Sequence, residues 1–115
     1  MSKFDEAMDK YRAALQGIAG YADNVDDTLL TAVAKGLGPS IYLADASLVS
    51  CSDQVEKDRV KNNFLVGKLG LEDSPALDAA VDKVCALMSG INRKDRAVFY
   101  YLLVVQEGLE SKILN

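Results

Sequence analysis

Histidine is absent from all 115 residues of the chain. Its absence removes the side chain most often used as general base, metal ligand and neutral-pH switch. A triad built on histidine is excluded, as are the zinc sites that use it. Any catalysis would fall to carboxylates, lysine, tyrosine or cysteine. Cysteine is itself scarce, with Cys51 and Cys85 the whole inventory. A disulfide framework in so short a chain normally uses more, and neither residue has a second cysteine at metal-binding spacing. Two reduced thiols in core or half-exposed positions are therefore expected. Long apolar runs are missing too. The longest, Ala97 to Val105, is about half of the ~20 residues that a membrane span needs. The opening Met1-Ser-Lys-Phe-Asp-Glu6 lacks the apolar core of a signal peptide. A cytoplasmic protein that makes no use of a membrane is expected. Period-two alternation, internal repeats and low-complexity tracts are also lacking, which speaks against a sheet.

What is present suffices for one domain, 1–115. Half of the residues are apolar, and a chain of this length can bury roughly two-thirds of its unfolded surface without a metal or disulfide staple. Thirteen basic and 17 acidic residues leave a net charge of −4, with no strong tract of one sign. That balance argues against nonspecific binding to nucleic acid or anionic lipid.

Five segments read as helices. Phe4, Met8, Tyr11, Leu15 and Ile18 fall on one helical face, with Ser2 as cap and Gly17 and Gly20 at the end. A second helix is expected over Val25 to Lys35, capped by Asn24 and stopped by Gly36, its buried stripe being Leu29, Leu30, Val33 and Leu37. After the breaker Gly36-Leu-Gly-Pro-Ser40, residues 41–51 read as a helical turn or ordered loop in which Ile41, Tyr42, Leu48 and Val49 require burial. A third helix starts at Ser52 or Asp53 and runs to about Lys68, with Gly70 as stop and Val60, Phe64 and Leu65 inside. A fourth has Ser74 as cap and Pro75 at its first position, and Leu77, Val81, Val84 and Met88 trace one face. The last is expected to open with Asn92 as cap and Asp95 three residues on. From Ala97 to Val105 it is apolar nearly all round, the mark of a central helix. The predicted fold is all-α, a compact irregular array of about five helices.

Three segments in combination resemble one known family: Lys35-Gly-Leu-Gly-Pro-Ser-Ile-Tyr42, Lys61-Asn-Asn-Phe-Leu65 with Leu69-Gly-Leu-Glu-Asp-Ser-Pro-Ala-Leu77, and Arg96-Ala-Val-Phe-Tyr-Tyr-Leu-Leu103. The family is bacterial and is designated a domain of unknown function, DUF2853. The likeness covers roughly residues 25–105, the N-terminal helix being a looser match. It implies a small helical protein and supplies no activity, cofactor or functional residue.

Candidate chemistry has to be weighed residue by residue. Asp23, Asp26 and Asp27 fail the calcium-loop pattern, because Thr28 and Ala34 stand where a glycine and a glutamate are needed. Helix-start acids account for them. An anion or small-ligand site is conceivable around Lys35, Gly38, Ser40, Tyr42 and Asp45. Pro39 offers no amide there, however, and the Gly-Lys-Ser/Thr of a phosphate loop is missing. Lys57, Lys61 and Lys68 share a helix face, but interleaved acids point to a salt-bridged surface rather than a nucleic-acid site. Phe99 to Leu103 cannot all face one core from one helix. Neighbours cover every side, or one edge meets a partner, with Arg96 and Tyr100 as its polar rim.

No catalytic residue, metal or cofactor is predicted. The expected role is a non-enzymatic protein-interaction or small regulatory domain, whose partner is itself or another protein. The alternative is a small-ligand-binding protein or enzyme with a pocket near Gly36–Ser40.

Overall fold

The first helix, α1 (Lys3–Gln16), begins where the Ser2 hydroxyl accepts a hydrogen bond from the Asp5 amide at 3.1 Å, and it ends at Gly17. Met8, Tyr11, Leu15 and Ile18 are buried on the face that their spacing dictates. In this computed structural model the described residues are 2–18, 20–44 and 46–114. Among them there are six helices and no strand.

Helix α2 (Asp27–Leu37) starts two residues later than its polar connector suggested. Its cap is Asp26, whose carboxylate accepts from the Leu29 amide at 3.1 Å, while the Asp26 amide donates to the Tyr101 hydroxyl at 2.9 Å. A tertiary bond from the core thus decides the start. Helix α2 also passes Gly36 and stops at Gly38, where φ is +62°. There the chain tightens into a 3-10 turn, Gly38–Tyr42, and enters the loop that reaches Asp53.

Asp53 caps α3 (Gln54–Arg59), which continues without a break as a π-helical segment, Val60–Lys68. Its wider register shows where the Leu69 amide reaches back five residues to the Phe64 carbonyl, at 2.9 Å. Gly67 permits this register, since a Cβ there would stand 3.0 Å from the Asn62 carbonyl oxygen. Helix α4 (Pro75–Leu87) starts with Pro75 as expected. It and the connector before it exchange ion pairs with the preceding helical segments: Lys57 with Asp82 at 2.8 Å, and Lys61 with Asp73 of the connector and Asp78 at 3.3 and 3.2 Å. Two of the three lysines considered for a basic patch are thus engaged with acids.

Helix α5 (Arg96–Glu107) is the axis of the molecule. Residues Ala97 to Val104 are buried without exception. Helices α1, α2 and α4 pack around it, and α6 (Glu110–Leu114) follows the left-handed Gly108 and packs on α2. The all-round apolar run is satisfied inside one copy of the chain. Asn92 does not cap α5. The Val49 amide donates to the Lys94 carbonyl (2.9 Å) and the Arg96 amide to the Ser47 carbonyl (2.7 Å). This short antiparallel bridge of Leu48 with Asp95 holds the backbone before Arg96 extended, so Asp95 becomes the cap.

The expectation of two reduced thiols is overturned. Cys51 and Cys85 form a disulfide across a Cα separation of 5.8 Å, tying the loop before α3 to the last turn of α4. Nothing local to either cysteine encodes that approach, which packing alone creates.

Candidate functional site

The loop from Leu43 to Asp53 has its own fastenings, and one side chain supplies most of them. Arg96 projects from the first turn of α5. Its Nε donates to the Ala46 carbonyl at 2.8 Å, and its Nη2 donates to the Leu48 carbonyl at 2.9 Å and pairs with the Glu56 carboxylate. Its Nη1 donates to the Tyr100 hydroxyl at 3.2 Å, and the guanidinium lies 5.7 Å from the Tyr100 ring centre. Burial opposes the charge on Arg96, but the bonds to Tyr100 and Glu56 outweigh it and raise its pKa above the ordinary value. A planar fork of five N–H donors is the one side chain able to serve these acceptors together.

Arg96 and Tyr100 are therefore not the rim of an exposed interface. Tyr100 is buried and Arg96 nearly so, and both hold the loop in place. Behind them Phe64 stacks on Tyr100. On the other flank, buried Asp95 pairs with Lys10 at 3.2 Å.

The residues considered for an anion site do not converge. Lys35 is exposed on the last turn of α2. The Gly38 amide is spent on the Lys35 carbonyl, and the Ser40 hydroxyl donates to the Leu37 carbonyl at 2.7 Å. Ser40 borders a cleft with Glu56, Arg59 and Arg96, whereas Tyr42 lies in a different one. Asp45 lies outside the described residues. Among the described residues no group of three acidic or cysteine side chains is arranged to hold a metal ion. Among the described residues no helix is long and apolar enough to cross a membrane.

Two concavities flank the fastened loop and share Arg93. The first is a groove of about 460 Å³ between α1, the 3-10 turn and the segment before α5. Tyr42 and Leu43 lie on it, 47% and 58% exposed, against the expectation that Tyr42 be buried. Leu43 escaped notice in the sequence altogether. Lys3, Lys10 and Arg93 border the groove, opposed by Glu6. Lys10 is partly neutralised by Asp95, which leaves Lys3 and Arg93 as its exposed cations without an ion pair among the described residues. The second is a cleft of about 600 Å³ bounded by Ser50, Cys51, Asp53, Cys85, Arg93 and Lys94, with the disulfide in its wall. The only trace of the groove in the sequence was a pair of adjacent large apolar residues, Tyr42-Leu43, in a stretch without helical period.

A sequence model of the family described as "Protein of unknown function (DUF2853)" matches residues 10–111. The chain belongs to that family. No curated protein matches it.

Proposed function

We propose that the protein is a non-enzymatic binding domain that takes a short acidic, apolar segment of a partner protein into the groove at Tyr42 and Leu43. One observation carries this reading. The two adjacent large apolar side chains that the fold leaves in water share a groove with Lys3 and Arg93, on a chain whose net charge is −4. Exposed apolar groups rimmed by polar ones mark interaction surfaces, and complementary charge steers and orients a partner. The loop beneath is fixed in advance by Arg96, which lowers the ordering cost of binding. The absence of histidine removes the commonest route to acid–base chemistry, and this supports binding over catalysis.

The test is selection of peptides from a random displayed library on the purified protein, followed by titration of the enriched peptides. Acidic peptides with an apolar anchor are expected. The double variant Tyr42→Ser/Leu43→Ser should lose them, while Val55→Ser, at an exposed apolar residue outside the groove, should bind as before. Enrichment that survives the double variant would refute the reading. Peptides matching this chain's own acidic segments would replace the foreign partner by a second copy.

A further inference from the structure

The disulfide is placed as a reactive group rather than a buried staple. Cys51 and Cys85 are both half-buried and both line the cleft of about 600 Å³, wide enough to admit a small thiol. Their surroundings differ. Cys85 stands in the last turn of α4, the negative end of the helix, where a thiolate is disfavoured. Cys51 stands on the loop. Arg93 and Lys94 border the cleft, and both can stabilise a thiolate there. Of the acids facing it, Glu56 is engaged by Arg96, and Asp53 accepts the Val55 amide at 2.9 Å. The loop would also survive opening of the bridge. Arg96 still holds the carbonyls of Ala46 and Leu48, and the backbone pairing of Val49 with Lys94 is independent of sulfur.

We propose that Cys51–Cys85 is a thiol–disulfide exchange site for a small thiol or dithiol reductant, attacked at Cys85 with Cys51 as leaving group. The incoming thiolate forms a mixed disulfide on the Cys85 Sγ, and the Sγ–Sγ bond breaks. Its electron pair leaves with Cys51, which departs as the thiolate into the cleft that Arg93 and Lys94 border and takes a proton from water. A second thiolate then attacks the external sulfur of the mixed disulfide, releasing oxidised reductant and freeing Cys85. The protein gains two electrons and two protons, and two external thiols are oxidised to one disulfide. A thiol of lower pKa leaves faster, which fixes the direction. The proposal does not depend on what the groove binds.

The test treats the folded, oxidised protein with reduced glutathione, quenches with iodoacetamide and maps both cysteines by mass spectrometry after trypsin digestion. The expected product carries glutathione on Cys85 and the alkyl group on Cys51. Its rate of formation should rise in proportion to glutathione and fall severalfold in Arg93→Gln. A rate that does not depend on glutathione concentration would mean that the bridge opens only on unfolding, and would overturn the proposal. Glutathione found chiefly on Cys51 would overturn the assigned direction. The reduced protein should keep its helical circular dichroism and a cooperative melt. Loss of both on reduction would show a structural staple instead.

Discussion

The rings of Phe64 and Tyr100 lie face to face, with centroids 3.9 Å apart and planes inclined by 15°. Arg96 meets the same Tyr100 side chain, its Nη1 donating to the hydroxyl at 3.2 Å and its guanidinium carbon 5.7 Å from the ring centre. The π-helical segment, the central helix and the Arg96 side chain that holds the loop thereby meet at Tyr100. Removing the ring in Phe64→Ala should cost about 3–5 kcal/mol, the usual range for a fully buried aromatic. Tyr100→Phe keeps the stack and loses one hydrogen bond to Arg96, worth about 1 kcal/mol. Denaturant titration of both variants checks the contrast.

Arg96→Ala should be among the most damaging single changes. It leaves Glu56, whose side chain is 13% exposed, with only the longer ion pair to Arg59 at 3.7 Å, and frees two loop carbonyls. Breaking one half of such a buried pair costs about 3–5 kcal/mol. Arg96→Lys keeps the charge but has no fork to reach Ala46, Leu48 and Glu56 together, so it should recover only a minor part. Urea midpoints of the two variants measure this.

Alkaline pH should unfold the protein in a defined window. Burial, and then the nearby Asp95 and Tyr42, push the Tyr11 pKa up from 10.0 to about 12. Tyr101 is raised as well, by burial, with the Asp26 bond partly offsetting it. Both groups hold their protons more tightly when folded. Their contribution is fully present below pH 10, and it is lost as pH rises towards 12, because the unfolded chain ionises first. Lys61, raised by its bonds to Asp78 and Asp73, acts in the same direction. Stability should therefore fall across that interval, with tyrosinate absorbance appearing together with loss of helix. In Tyr11→Phe the fall should be shallower.

Loss of the disulfide should be measurable even though the loop has other anchors. The bridge spans 34 residues, and a closed loop of that size restricts the unfolded chain by roughly 3–4 kcal/mol in the chain-entropy account. Cys51→Ala/Cys85→Ala should lower the urea midpoint accordingly and leave the denatured chain more expanded.

The legibility of this fold in its sequence followed the range of the forces involved. Helix α1, the Pro75 start of α4 and the burial of α5 are set by residues within a turn or two, and periodicity and capping revealed them. The starts of α2 and α5 were misplaced because the Tyr101 hydroxyl and the Leu48–Asp95 bridge decide them from distant parts of the chain. The π register, the Cys51–Cys85 bridge and the role of Arg96 are likewise tertiary. Arg96 was singled out for its chemistry and assigned to the surface, because no local pattern shows that the loop at Ala46–Leu48 folds over it. The groove was invisible for a related reason. Tyr42 reads as core beside Ile41, and nothing marks Leu43, until the packing shows both in water.

The binding reading turns on those two residues. Their replacement should leave stability within about 0.5 kcal/mol, since exposed side chains carry little of it. The most direct measurement is a heteronuclear NMR titration of the protein with an acidic peptide enriched on it, run in parallel on Tyr42→Ser/Leu43→Ser. Shifts gathered on Lys3, Ala7, Tyr42, Leu43 and Arg93, and lost in the variant, are predicted. Shifts gathered elsewhere, or unchanged binding by the variant, would contradict the account.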